Sequence, residues 1–292
     1  MTGWQVDETS VGLAPHGLSC DSLPVYTGSS TPPPGTVISD VRIVTRLDLH
    51  LGDVTVERSC IRPTADSGFS GWEPVVTNTD YNTCCGPSAA QVWIRDSEID
   101  GSMVSRKDIA GACGFHGVGV LERNFIHDVG SGICFRYTDN EHDAVAVNNY
   151  VTNLRAYGEP ESTGSHNEAA TVRDFPATRR SDRQVTFRGN RLVTASGNDS
   201  GSLFIQAIDG PIDNVVLADN LFQGRGYNLV VSPGAHAYGR NLRATNNRFD
   251  GGTYGPVQFA ASEIGHGWRV WSENYLFNPA ADDARGAVVP EP

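Results

Sequence analysis

The chain contains no run of 18 apolar residues, so no segment is suited to crossing a membrane as a helix. It has no paired Cys-x-x-Cys spacing of the kind that marks a zinc site. No stretch carries heptads, or caps flanking a long helical period, which argues against an α-helical architecture. Positive charge is scarce, with 22 Lys and Arg against 34 Asp and Glu, a formal net charge of −12. That balance repels polyanions on average and argues against nucleic acid as a partner. The opening Met1-Thr2-Gly3-Trp4 lacks a charged n-region and an apolar core, as expected of a cytosolic chain or of a mature chain whose signal peptide has been removed.

What the sequence does contain is a repeat. An apolar residue, two variable residues, Asn or Ser, one variable residue and a second apolar residue recur eight times. The copies are Val56…Ser59…Ile61, Ile94…Ser97…Ile99, Leu121…Asn124…Ile126, Ala146…Asn149…Val151, Phe187…Asn190…Leu192, Leu217…Asn220…Phe222, Ala244…Asn247…Phe249 and Trp271…Asn274…Leu276. Their polar residues are spaced by 38, 27, 25, 41, 30, 27 and 27 residues, the period of one coil in a stacked array. Side chains alternate around each copy, as in Val185-Thr186-Phe187, which is strand periodicity. Gly-containing breaks and a second short strand follow, for example Leu203-Phe204-Ile205 after Gly197.

Short strands and turns repeating once per coil predict an all-β chain. The expected fold is a single-domain right-handed parallel β-helix of about eight or nine coils, with an irregular N-terminal cap. Strands of successive coils then lie roughly 4.8 Å apart. An inward turn Asn can satisfy buried backbone groups and bond to the Asn of the next coil. A sandwich or propeller would not place a polar residue at one fixed phase. Residues 1–40, with the stiff Thr31-Pro32-Pro33-Pro34-Gly35 turn, are expected to cap the open end of the solenoid. Residues 41–280 form the helix, and 281–292 read as a trailing tail.

The six cysteines (Cys20, Cys60, Cys84, Cys85, Cys113 and Cys134) all lie in the first half. An even count in the loop-rich half points to disulfides and a secreted protein, with three bridges clamping the N-terminal coils. Reduced, buried cysteines are the alternative. A monomer is expected.

Two coils are oversized, Ser59–Ser97 and Asn149–Asn190. Extra residues in a solenoid coil leave as loops on one face, often the binding face. The second insertion carries the densest polar cluster in the chain, which includes Glu159, Glu161, His166, Glu168, Arg173 and Asp174. Its Gly164-Ser165-His166-Asn167-Glu168-Ala169-Ala170 resembles the His-[Ser/Asn]-Asp-Gly-[Ile/Val]-Gln segment of secreted actinobacterial-type right-handed β-helix proteins of the pectate-lyase-like superfamily. Glu168 stands where Asp is usual. The Pro-Pro-Gly-Thr before the first coil, Ile208-Asp209-Gly210-Pro211, Gly226-Tyr227-Asn228-Leu229 and Asn246-Asn247-Arg248-Phe249 resemble that group as well. The likeness extends from about residue 11 to 277. It implies the β-helix fold and, by analogy, a polysaccharide lyase or glycoside hydrolase.

Stacking the second strands sets Arg136 beneath Arg173, and Gln206 above, on one outward face. Two guanidiniums one coil apart repel unless an anion lies between them. They can therefore clamp the carboxylate of a uronic acid, or be neutralised by Glu168, Asp174 or Asp139 as a surface network. His166 and Glu168, two residues apart, can form a His–carboxylate couple serving as general base. A loop histidine bonded to backbone is the plainer reading. The expected catalytic set is His166, Glu168, Arg173 and Arg136, with Tyr137, Asp174, Gln206 and Tyr157 binding substrate. Tyr137 as phenolate is an alternative base. His127-Asp128 reads as structural, and His116, His142, His236 and His266 read as turn residues. Asp139-Asn140-Glu141-His142-Asp143 is an acidic turn that can hold Ca²⁺, although it lacks a spaced ligand pattern.

The mixture of Arg and His tilts the expectation towards β-elimination of a uronate-containing polysaccharide. Hydrolysis by two carboxyl groups is the second reading. A third is a non-catalytic carbohydrate-binding or adhesive β-helix, with exposed aromatics stacking on sugar rings.

Overall fold

The computed structural model describes residues 1–65, 73–79, 91–136, 142–173, 182–208, 212–233, 241–259 and 267–292. The described chain winds into three parallel sheets, each taking one strand per coil. The first sheet has nine strands, running from Val37–Ser39 through Ala144–Val147 and Val185–Arg188 to Val270–Ser272. The second begins with Arg42–Ile43, includes Glu98–Asp100, Phe125–His127 and Arg248–Phe249, and reaches Tyr275–Phe277. The third holds eight strands, among them Cys113–Gly117, Ser131–Arg136, Asn167–Arg173, Asp199–Ala207 and Tyr227–Pro233. This is the expected parallel β-helix.

The repeated phrase is the corner between the first and second sheets. Its first apolar residue lies in a strand of the first sheet and its second in a strand of the next. Ile94, Leu121, Ala146, Phe187 and Ala244 are fully buried, as are Ile99, Ile126, Val151, Leu192 and Phe249. Each aromatic or aliphatic side chain so buried contributes about 2 kcal/mol against exposure. The turn needs one residue in the left-handed region, immediately before the polar step. Asp96 (φ 51), Asn148 (φ 55), Asp219 (φ 59) and Asn246 (φ 55) fill that position. Asp and Asn tolerate this conformation best after Gly.

The polar step is a continuous ladder. The Nδ2 of Asn124, Asn149, Asn190, Asn220 and Asn247 each donates to the Oδ1 of the next Asn, at 2.9–3.0 Å. Each also donates to a backbone carbonyl of the coil before, as Asn190 does to Ala146 O at 2.8 Å. Every Oδ1 meanwhile accepts the backbone N–H of the preceding ladder residue, as in Asn149 N to Asn190 Oδ1 at 2.9 Å. Ser97 and Ser59 extend the row, Ser59 N donating to Ser97 Oγ at 3.2 Å.

Both ends differ from the sequence expectation. Residues 24–36 do sit at the first coil, where Tyr26 packs on the core and Gly35 N donates to Asp53 O. Residues 3–23, however, run lengthwise along the flank. Gly3 N donates to Asp219 O (2.7 Å), Gly12 N to Arg123 O (2.8 Å), and Cys20 is bridged to Cys60. At Gly3 any Cβ would meet the backbone of Asn190 and Leu221, so only glycine allows so close an approach. The segment covers corners that the solenoid would otherwise leave to solvent.

The C-terminal stretch is not a trailing tail. Arg285–Val288 pairs antiparallel with Tyr275–Phe277, closing the edge of the second sheet. Val289 is buried, and its carbonyl accepts from Trp271 Nε1 at 2.9 Å. The fully buried Arg248 guanidinium joins both termini. It stacks on Trp4 at 4.1 Å and donates to Asp283 O at 3.0 Å. An unpaired terminal strand invites association, and this segment occupies it.

Candidate functional site

The third sheet exposes the face that the sequence singled out. Strand register pairs Ile133 with Ala170, Cys134 with Thr171, Phe135 with Val172 and Arg136 with Arg173. The next coil pairs Ala170 with Leu203, Thr171 with Phe204 and Arg173 with Gln206. Ile133, Phe135, Ala170, Val172, Leu203 and Ile205 all point into the core, as alternation requires. Arg136, Arg173 and Gln206 therefore form one outward column, with Ser232 above Gln206.

Arg136 folds back over a disulfide. Its Nη2 lies 3.2 Å from Cys113 Sγ and 3.4 Å from Cys134 Sγ, which are bonded to each other. With Cys20–Cys60 this makes two disulfides among the described residues, which suits an oxidising compartment. Cys84 and Cys85, expected to form the third, lie outside the described residues.

Glu168 sits behind the arginines, 9% exposed, accepting from the Ser131 hydroxyl at 3.3 Å and from Ser200. Burial pushes its carboxyl upward, and the pull of Arg136, Ser200, Ser131 and Arg173 does not reverse that.

His116 also belongs here. Its side chain is fully buried in Cys113–Gly117, a strand rather than a turn, beside Thr77 and Cys134. Burial, reinforced by Arg136 and Arg173, holds it near pKa 3, so it is neutral at physiological pH. The buried Thr171 hydroxyl, 2% exposed, has no hydrogen-bond partner among the described residues. His116, expected in a turn, and Thr171, on the expected outward face, are both buried, which becomes visible only once the coils are stacked. The outward phase of His116 opposite Cys134 was the available signal.

His166 and Tyr157 belong to a different part of the face. Both lie on the loop that enters Asn167–Arg173. Tyr157 is 50% exposed, and its backbone N–H donates to Ser165 Oγ. The exposed His166 Nε2 lies 3.0 Å from Pro160 O, which is the plainer of its two readings. A register shift between Asn167 and Glu168 buries both of those residues and breaks the alternation that was to pair His166 with Glu168. His166 precedes the strand that Arg173 ends, roughly 20 Å away at strand rise. They do not share one sugar ring. Tyr137, Asp174 and Asp139 lie outside the described residues.

A second charged cluster lies on the second sheet. His127 Nδ1 meets Asp128 Oδ2 at 2.7 Å and its Nε2 meets Glu98 Oε1 at 3.2 Å. Asp100, 2% exposed, accepts from Arg62 Nε at 2.6 Å, and Asp128 accepts from Arg155 Nε at 2.9 Å. Hydrogen bonds to Asp128 and Glu98 outweigh burial and raise His127 to about 9. Bonds from His127 and Arg155 outweigh burial at Asp128 and lower it to about 2. This is a structural ion network, in line with the reading of His127-Asp128.

Among the described residues two groups have atoms close enough to share a metal ion. They are Cys20, Cys60 and Glu98, whose sulfurs are in a disulfide, and Glu98, Asp100 and His127, whose atoms are engaged in these ion pairs. Of the acidic turn proposed for Ca²⁺, residues 139–141 lie outside the described residues. Among the described residues no helix is long and apolar enough to cross a membrane. No protein-family model, no curated protein and no solved structure matches the chain.

Proposed function

We propose that this is an extracellular carbohydrate-active protein, a polysaccharide lyase whose third-sheet face binds a uronic acid through Arg136 and Arg173. The observation that carries the reading is the direct pairing of these two arginines in adjacent coils. Arginines on strands one spacing apart, roughly 4.8 Å between backbones, can both reach one planar carboxylate.

In the reaction the Arg pair neutralises the uronate carboxylate, which acidifies the proton on the adjacent ring carbon. A base removes that proton, a carbon–carbon double bond forms, and the glycosidic carbon–oxygen bond breaks. The leaving oxygen is protonated by Glu168 or by water. Tyr137, which follows Arg136 in sequence and lies outside the described residues, is the proposed base. His166, distant from Arg173, keeps a role only at the rim, with Tyr157. Hydrolysis needs a second carboxyl group across the bond. The pairing of two arginines is what favours elimination.

The test is incubation with uronate-containing and neutral polysaccharides, following ultraviolet absorbance of unsaturated ends alongside new reducing ends. Unsaturated ends are expected, and Arg173→Ala is expected to abolish them with the circular dichroism spectrum unchanged. Reducing ends without unsaturation transfer the reading to hydrolysis. Binding without either product leaves an adhesive or carbohydrate-binding protein.

A further inference from the structure

The first residues of the chain and its closing stretch meet beside the last coil and line an open cavity of about 500 Å³. Sites for small molecules span roughly 300–1,000 Å³. One wall is Trp4 and Gln5, from the Gly3–Gln5 turn that the Gly3 N–H fastens to Asp219 O at 2.7 Å. The facing wall is Phe277, Pro279 and Asp283.

Three polar atoms of these walls are unused. Arg248 covers one face of Trp4 at 4.1 Å, yet the ring stays half-buried, and its Nε1 has no hydrogen-bond partner among the described residues. Gln5 Oε1 accepts from Thr2 N at 3.1 Å and Thr2 Oγ1 at 2.9 Å, which leaves Nε2 to donate. Asp283 Oδ2 accepts from Arg248 Nη2 at 3.1 Å and lies 3.0 Å from Arg285 Nη2, which leaves Oδ1 to accept. The backbone beneath this carboxylate is fixed. Asp283 and the buried Ala284 are both held at φ 53, and Asp283 O accepts from Arg248 Nε and Nη2 at 3.1 and 3.0 Å. Alanine rarely takes that left-handed conformation, so the surrounding contacts impose it and set Asp283 in place before any ligand arrives.

We infer that this cavity is a binding site for one neutral sugar unit of a polysaccharide. Trp4 and Phe277 supply aromatic surface for the apolar face of the ring. Asp283 Oδ1 accepts from one hydroxyl, while Gln5 Nε2 and Trp4 Nε1 donate to others. A pyranose carries hydroxyls around its rim and so meets an acceptor and two donors at once. The local charges are already matched, because Arg248 and Arg285 both meet Asp283 and Asp282 is adjacent. A cation would face two guanidiniums, and an anion would face two carboxylates on a chain of net charge −12. The site uses neither Arg136 nor Arg173, so it stands whether or not the third-sheet face turns over a substrate.

The experiment is titration calorimetry of the full chain with cellotetraose, mannotetraose, xylotetraose and maltotetraose, and with adenosine as a planar control. At least one tetrasaccharide is expected to bind, with the same affinity in Arg173→Ala. Gln5→Ala removes a side chain that otherwise only caps Thr2, and is expected to weaken binding roughly fivefold, the effect of one neutral hydrogen bond. Trp4→Phe keeps an aromatic ring on Arg248 but loses Nε1, and is expected to weaken binding at least as much. Thermal melting reports on the fold, and if Trp4→Phe melts early, Gln5→Ala decides. Failure of all four sugars to bind overturns the inference. Binding that is unchanged in Gln5→Ala, or lost in Arg173→Ala, also overturns it, because the sugar then sits elsewhere. Adenosine binding as tightly as the best sugar overturns it too, making the cavity a site for planar rings.

Discussion

Asn190 lies in the middle of the ladder, and replacing it by Ala tests whether the polar steps stabilise the column. Four hydrogen bonds end on its side chain. Nδ2 donates to Ala146 O (2.8 Å) and Asn220 Oδ1 (3.0 Å), while Oδ1 accepts from Asn149 N and Asn149 Nδ2, both at 2.9 Å. Asn149, Asn190 and Asn220 are fully buried, so water cannot replace what is lost. Asn149 Nδ2 retains Leu121 O, and Asn220 Oδ1 still accepts from Asn190 N. The main losses are the Asn149 N–H and one acceptor bond at Ala146 O, at about 1–3 kcal/mol for each buried group left unpaired. With a small cavity added, the total is about 4 kcal/mol, a large part of a typical stability of about 5–15 kcal/mol. Asn190→Ser should cost roughly half as much, because Ser97 shows a hydroxyl accepting the preceding N–H while donating to its own coil. Urea unfolding followed by circular dichroism gives both values. A loss below about 1 kcal/mol for Asn190→Ala would refute the argument that the ladder is a stabilising element.

The remaining predictions concern the flank and the termini. His127 is raised to about 9, so its contribution to stability is complete below its unfolded value of about 6.5 and fades as pH rises through 9. His127→Gln should flatten stability between those limits, as read from thermal melting across pH. Asp128, lowered to about 2, contributes above about 3.8 and loses that contribution as pH falls through 2. Asp128→Asn should therefore reduce the acid sensitivity of unfolding. Cys20–Cys60 closes a sequence separation of 40, worth about 4 kcal/mol by chain entropy. Cys20→Ser with Cys60→Ser should lower stability by up to that amount, and limited proteolysis should then cut first within residues 7–23. Removal of residues 281–292 uncovers the Tyr275–Phe277 strand edge and withdraws Asp283 from Arg248. Concentration-dependent association by light scattering is the expected result, and a stable monomer would contradict the capping role.

Much of the third-sheet face was legible because register in a solenoid follows from alternation and repeat length. Arg136, Arg173 and Gln206 could be aligned by counting from their apolar neighbours. The couple of His166 with Glu168 failed for a local reason. The ladder shifts register between Asn167 and Glu168, so a two-residue spacing no longer means a shared face. His116 was misread because a histidine close to Gly114 and Gly117 looks like a turn, whereas both glycines belong to the strand Cys113–Gly117. Distance along a strand mattered as well, since it separates His166 from Arg173 although seven residues seem close in sequence.

By itself the sequence determined the column. Its phase of Asn and Ser, its alternation and its period dictate which side chains are buried and which coils are neighbours, because those depend on local geometry repeated along the chain. Only the tertiary structure decided the path of residues 3–23 along the flank, the closing strand at Arg285–Val288, the two cysteine pairings, and the burial of Glu168 and His116 behind the arginines. Each depends on contacts between segments distant in the chain, as when Arg248 joins Trp4 to Asp283. Such contacts have no period to betray them, and their energies arise only once the coils are stacked.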